Sequence, residues 1–274
     1  MEWGVSLMQF RGSMVAIVTP FRNDKVDEPA LKRLIEMHIK AGTSAIVPCG
    51  TTGESATLSH DEHDRVIEVT VQAARGRLPV IAGTGSNNTR EAIRLTQQAQ
   101  RAGADAALLI SPYYNKPTQR GLYLHFKAVA EATEIPLVLY NIASRTGVNI
   151  EPDTFAQLAQ LRTIVAVKEA SGNLEQMSRI LEAAEGRLTL LSGDDALTLP
   201  VLAIGGKGVI SVVANLVPRD VAAIIEAFEG KRIAQAQSLH HRLLPRIRAM
   251  FLETNPIPVK TALGLLGLID PEVR

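Results

Sequence analysis

Ile164-Val165-Ala166-Val167-Lys168-Glu169 is an apolar run closed abruptly by two charges. Three of its first four residues are β-branched and none alternates with a polar one. That is the pattern of a short strand buried on both faces of a parallel sheet. Working outward, Thr163–Val167 is one of eight such runs. The others are Met14–Val18, Ala45–Pro48, Pro79–Ala82, Ala106–Ile110, Pro136–Tyr140, Leu188–Leu191 and Gly208–Val212. Amphipathic stretches lie between them, with readable helix starts. Ser59-His60-Asp61-Glu62 is a capping box, and Asn88…Glu91 and Asn173…Gln176 are close variants. Eight strand–helix units without a long linker predict an α/β fold, a (β/α)8 TIM barrel. A doubly wound sheet is disfavoured because no G-x-G-x-x-G fingerprint joins an early strand to a helix. After Val212 the pattern is helical over Arg219–Glu229, Lys231–Glu253 and Pro258–Leu268. These read as the last barrel helix plus an appendage, giving a barrel over 10–229 and a C-terminal helical region over 230–274.

Composition narrows the function classes. Of 274 residues, 46% are hydrophobic, so a large core can be buried. The 29 basic and 28 acidic side chains leave a net charge of +1, without the basic excess of a nucleic-acid binder. Cys49 is the only cysteine, so neither an intramolecular disulfide nor a thiolate metal cluster is expected. Met1–Leu7 lacks the basic and apolar regions of a signal peptide, and the longest apolar run, Ala262–Ile269, is too short to span a membrane. A cytoplasmic protein without membrane contact is the expectation.

A barrel of this kind places its chemistry at the C-terminal ends of the strands. Those ends carry Thr19-Pro20, Gly50-Thr51-Thr52-Gly53-Glu54, Gly83-Thr84-Gly85, Ser111-Pro112-Tyr113-Tyr114, Tyr140-Asn141, Lys168-Glu169, Ser192-Gly193-Asp194-Asp195 and Ile210-Ser211. Lys168 is the sharpest signal. Ile164 and Ala166 share its parity and should point inward with it, small Ala166 leaving room beneath. A buried lysine loses charge and becomes a nucleophile toward carbonyls. The competing reading is a structural lysine paired with Glu169 or Asp194, and on position alone the two are level. The Gly-Thr-Thr-Gly loop offers backbone N–H groups and hydroxyls to a small carboxylate. Tyr113, Tyr114 and Tyr140 bring proton carriers to strand ends. His60 and His63, and the adjacent His240-His241, join no zinc pattern, so neither a metal nor another cofactor is expected.

Several of these segments resemble, in order, one known family. They are Val15-Ala16-Ile17-Val18-Thr19-Pro20-Phe21, Cys49-Gly50-Thr51-Thr52-Gly53-Glu54-Ser55, Ser111-Pro112-Tyr113-Tyr114-Asn115, Tyr140-Asn141, Ser144-Arg145-Thr146-Gly147, Val167-Lys168-Glu169-Ala170 and Leu191-Ser192-Gly193-Asp194-Asp195. The family is dihydrodipicolinate synthase, within the pyruvate-dependent class I aldolases and N-acetylneuraminate lyases. The likeness runs from about Phe10 to the end, with Gly208-Val209-Ile210-Ser211 and Asn255-Pro256-Ile257-Pro258-Val259-Lys260 as late landmarks.

The resemblance implies a lyase that condenses pyruvate with L-aspartate 4-semialdehyde on the route to diaminopimelate and lysine. Lys168 would form the Schiff base. Tyr140, Thr51 and Tyr114 would relay protons, Tyr114 reaching in from a neighbouring subunit of a homotetramer built as a dimer of dimers. Thr51 and Thr52 would bind the pyruvate carboxylate, Arg145 that of the semialdehyde, with Gly193 and Ile210 supplying backbone contacts. Ser55, Ala56, His60, His63, Asn87, Glu91 and Tyr113 match the positions of an allosteric lysine site. The bland reading of Glu91 is a capping-box residue, and of His60 and His63 a solvated helix start. Ala143 stands where many members have proline, which predicts a looser loop around Arg145. Members usually continue through a further helix, so the C-terminal region reads as truncated. The rival enzymes are N-acetylneuraminate lyase and a 2-keto-3-deoxy-sugar-acid aldolase. Ser144-Arg145-Thr146-Gly147 favours the synthase, because a carboxylated aldehyde wants a cation. A silent carboxylate-binding barrel is the rival outside enzymes, and it would need no imine-forming amine.

Overall fold

The structure, a computed structural model, describes residues 10–274; Met1–Leu7 lies outside the described residues. Ten strands follow in chain order: β1 Gly12–Ala16, β2 Phe21–Arg22, β3 Lys25–Val26, β4 Ala45–Val47, β5 Ile81–Gly83, β6 Ala106–Ile110, β7 Leu137–Asn141, β8 Ile164–Glu169, β9 Thr189–Ser192 and β10 Gly208–Ser211. Eight form one sheet in the order β4-β1-β10-β9-β8-β7-β6-β5. A parallel bridge between Ile46 and Val80 joins its two edges and closes the barrel. Each barrel strand overlaps one of the eight expected runs. The β2–β3 hairpin was not expected, since two-residue strands carry no periodicity. Its turn residues Asn23 and Asp24 have φ of 53° and 57°, as a type I′ turn requires.

Alternating side chains divide the core into two layers. Met14, Ala16, Val47, Leu108, Tyr140, Ala166, Leu191 and Ile210 belong to a buried cluster that fills the barrel. Their neighbours along each strand, such as Val15, Ile46, Leu109 and Val167, pack outward among the helices. Burying each such aliphatic side chain is worth about 1.5–3 kcal/mol, so this alternation fixes the strand phase. One expectation needs correction. Leu137 pairs with Ile164 but Val138 with Ala166, so Val165 is an extra residue in β8. The bulge reverses the phase upstream of Ala166. Ile164 therefore packs with Leu137 and Val167 in the outer layer, and Val165 lies against the inner cluster. Ala166 and Lys168, beyond the bulge, keep a common phase.

Helix starts follow the cap residues in detail. Ser59 and Glu62 form a reciprocal capping box. Asn88 and Asn173 cap their helices through Arg90 N and Gln176 N, while the Glu91 and Gln176 side chains turn to other partners. Those two starts are simple caps, not boxes. The helix expected over Lys231–Glu253 spans Ile233–Ala249, and the last spans Ile257–Leu265. The residue before a proline avoids helical φ/ψ, which keeps Asn255 out of both. Leu243, Ile247, Val259 and Leu263 from these helices join the outer layer around β1 and β4. No helix among the described residues is long and apolar enough to cross a membrane.

Candidate active site

Lys168 sits at the C-terminal end of β8, between Tyr140 of β7 and Leu191 of β9, and is only 5% exposed. Its Nζ lies 4.1 Å from the centroid of the Tyr140 ring. Gly193 makes room on the other side, because a Cβ there would stand 3.2 Å from Lys168 Cε and 2.7 Å from Ala170 Cβ. The carboxylates that might have paired with this amine are committed elsewhere. Glu169 has the opposite parity and accepts from Ser171 N at 2.6 Å, Asn141 Nδ2 at 2.9 Å and Gln176 Nε2 at 3.2 Å. Asp194 accepts from Ala196 N at 2.8 Å. Among the described residues Lys168 has no ion-pair partner. It is a buried amine facing an aromatic ring at a barrel mouth.

The second element is the loop after β4. Cys49 and Glu54 adopt left-handed φ values of 54° and 55°. Between them Gly53 N bonds to Gly50 O and Glu54 N to Thr51 O, each at 3.1 Å. The backbone N–H groups of Thr51 and Thr52 have no partner among the described residues and suit an anion. Gly83 allows the close approach of β5, since a Cβ would fall 2.1 Å from Cys49 O. Burial, with the nearby charge of Asp64, pushes the Cys49 thiol upward, so it is a poor nucleophile.

Arg145 lies at the rim on the helical turn Ala143–Thr146, which Thr146 Oγ1 closes by donating to Ile142 O at 3.0 Å. Arg145 donates to Asn255 O at 3.2 Å, and Asn255 Nδ2 donates to Thr52 Oγ1 at 3.0 Å. A cleft of about 520 Å³ runs from Thr51, Arg145 and Asn255 past Ser55, Ala56, His60 and His63 to Glu91 and Tyr113. A larger groove of about 700 Å³, lined by Arg33, Met37, Lys40 and Pro218, contains none of the strand-end residues.

Within the cleft, Glu91 accepts from Ser86 Oγ and pairs with His60 Nε2, the latter at 2.7 Å. The Ser86 hydrogen bond and then His60 hold its carboxyl below the ordinary range, against the opposing effect of burial. His63 is not solvated: it is 5% exposed and its Nε2 donates to Gly83 O at 2.9 Å. Burial lowers its pKa, against the opposing effects of the Gly83 hydrogen bond and Asp64. Asn87 Nδ2 donates to Tyr113 O at 3.2 Å, tying two strand-end loops together. Burial, and then the Glu91 charge, raise the Tyr113 hydroxyl. Tyr114 stands apart from Lys168 and Tyr140, 89% exposed and held at a φ of 72°.

Residues 9–274 match the dihydrodipicolinate synthetase family. The chain belongs to that family. A 4-hydroxy-tetrahydrodipicolinate synthase from Syntrophus aciditrophicus is 58% identical over 265 residues, 97% of this chain and 91% of the relative. The solved dihydrodipicolinate synthase of Acinetobacter baumannii, chloride-inhibited and complexed with pyruvate, superposes with a TM-score of 0.94 at 47% identity, covering 96% of this chain and 91% of the other. That of Cyanidioschyzon merolae, with lysine bound, gives 0.91 at 43% identity, covering 94% and 89%.

Seen as a dihydrodipicolinate synthetase fold, the site contains polar residues the sequence did not single out for a role. Asn141, fully buried, donates to Glu169 and to Asn149 Oδ1 at 2.8 Å, and accepts from Ile150 N at 3.0 Å. This network ties the ends of β7 and β8 beside Tyr140 and Lys168. Lys260, with no exposed surface, pairs with Glu54 at the end of the Thr51–Thr52 loop. An amide in a strand and a lysine among apolar helical residues were the available signals.

Proposed function

We propose that the chain condenses pyruvate with L-aspartate 4-semialdehyde, as a 4-hydroxy-tetrahydrodipicolinate synthase of lysine and diaminopimelate biosynthesis. The observation carrying the proposal is Lys168: buried, without a carboxylate partner among the described residues, and facing Tyr140 at a barrel mouth. The Lys168 amine attacks the ketone carbon of pyruvate, and loss of water leaves an imine. The imine withdraws electrons from the adjacent methyl, which gives up a proton and becomes an enamine. The enamine carbon bonds to the aldehyde carbon of the second substrate, whose oxygen takes a proton. That substrate's own amine then attacks the imine carbon, closing the ring and expelling Lys168.

Tyr140 and Thr51 carry the protons, with Tyr114 supplied by a second copy of the chain. The exposure and left-handed backbone of Tyr114 support that last role. Thr51 and Thr52 receive the pyruvate carboxylate, with Gly193 and Ile210 bounding the pocket. Arg145, whose planar fork suits a carboxylate, receives the semialdehyde. A homotetramer built as a dimer of dimers, in the cytoplasm, completes the reading, and the imine chemistry itself calls on no cofactor. Lysine acts as a feedback inhibitor: its ammonium meets Glu91, and Asn87, Ser55, Ala56, His60, His63 and Tyr113 surround the rest.

The test is turnover of pyruvate plus aspartate 4-semialdehyde beside N-acetylneuraminate and 2-keto-3-deoxy-sugar acids. Product from the first pair alone is expected. Cleavage of a sugar acid with no condensation would overturn the proposal.

A further inference from the structure

Thr52 and Arg145, read above as receivers of two different carboxylates, are both held by Asn255, which lies 203 residues from the first and 110 from the second. Asn255 is 6% exposed and lines the cleft. Its two contacts use different atoms. The side-chain Nδ2 donates to Thr52 Oγ1, whereas the main-chain carbonyl accepts from Arg145. Asn255 Oδ1 is buried without a partner among the described residues.

A threonine hydroxyl has one proton to donate and two lone pairs. An amide N–H directed at Oγ1 occupies a lone pair and leaves the proton as what Thr52 can offer. No described residue accepts that proton, and Thr52 is 2% exposed. A carboxylate accepts and cannot donate, so a hydroxyl prepared in this way favours it over groups that donate. The supporting segment is itself fixed, because fully buried Lys260 pairs with Glu54 and donates to Glu272 O at 2.7 Å.

We infer that Asn255 is a positioning residue with two separable duties: its side-chain amide aims the Thr52 proton at the carboxylate of pyruvate, and its main-chain carbonyl holds Arg145 for the second substrate. The inference rests on the carboxylate roles proposed above. A side-chain substitution removes the first duty and leaves the second, so the two substrates should respond differently. A merely structural residue would not separate them.

The experiment is steady-state kinetics of Asn255→Ala and Asn255→Leu, the latter keeping the branching and heavy-atom count of asparagine without its amide. A charge-assisted hydrogen bond lost at one remove should raise the KM for pyruvate about tenfold in both variants. The KM for the semialdehyde and kcat should stay within roughly twofold of wild type, since their contacts are untouched. In a Thr52→Val background, Asn255→Ala should add nothing further to the KM for pyruvate. Equal rises in both KM values, additivity with Thr52→Val, or failure of both variants to fold would overturn the inference. Thr52→Val alone decides the underlying reading: an unchanged KM for pyruvate would remove Thr52 from the site, and the inference with it.

Discussion

Gly193→Ala tests how Lys168 is held. The glycine has no left-handed backbone requirement, so the substitution acts through crowding alone. The new Cβ would stand 2.7 Å from Ala170 Cβ, 3.2 Å from Glu169 O and 3.2 Å from Lys168 Cε. Carbon atoms pack at about 3.5 Å or more, so relief of the tightest contact needs a shift of roughly 0.8 Å. The Lys168 Cε contact alone needs only about 0.3 Å, so the larger shift falls on the Ala170 and Glu169 backbone, which adjoins Lys168 and carries the amine with it. Overpacking should cost about 1–3 kcal/mol of stability. A displacement approaching 1 Å at a reacting group is worth roughly 10²-fold, so imine formation should slow by about 10- to 100-fold. The assay is stopped-flow imine formation with pyruvate, beside denaturant unfolding. Adding Ala170→Gly removes the tightest contact and should restore part of the rate. Wild-type imine formation in a folded Gly193→Ala protein would refute the reasoning.

Three further outcomes follow from the site and the core. Arg145→Ala should raise the KM for the semialdehyde by an amount equivalent to about 1.5–3 kcal/mol, with pyruvate binding much less affected; normal semialdehyde kinetics would misplace the second substrate. Saturating lysine should inhibit wild type partially, and Glu91→Ala should lose that sensitivity; equal sensitivity of the variant would place lysine elsewhere. Burial holds His38 and His125 down to about 4, so the folded state resists protons that the unfolded chain binds near pH 6.5. Stability is complete above pH 6.5 and falls as pH drops toward 4, by roughly 3 kcal/mol per histidine at about 1.4 kcal/mol per pH unit. Urea unfolding at pH 7 and pH 5 checks this: the loss should shrink in His38→Asn, and a flat profile in wild type would contradict it.

The barrel was legible because its strands are apolar runs broken by polar residues at one end, and Lys168 stood out for ending such a run with a charge. Ile164 was misread because a bulge depends on pairing with β7, which the β8 sequence does not contain. Glu91 fitted a capping box by spacing, yet tertiary partners Ser86 and His60 take its carboxylate. Asn255 went unread for a related reason. Its meaning lies in contacts 110 and 203 residues away, and no local periodicity reports them. Tyr114 is legible as a proton carrier at a strand end, but its service to a neighbouring subunit comes from resemblance alone; a lone tyrosine carries no sign of facing away from its own barrel. Periodicity thus exposes what a segment buries, while single polar residues acquire their roles only through the fold.

The central claim is that Lys168 is the amine that attacks pyruvate. Pyruvate plus borohydride should inactivate the protein and leave a reduced adduct, located by peptide mass mapping on Lys168 and absent from Lys168→Ala. An unmodified Lys168, or undiminished turnover by Lys168→Ala, would contradict the account.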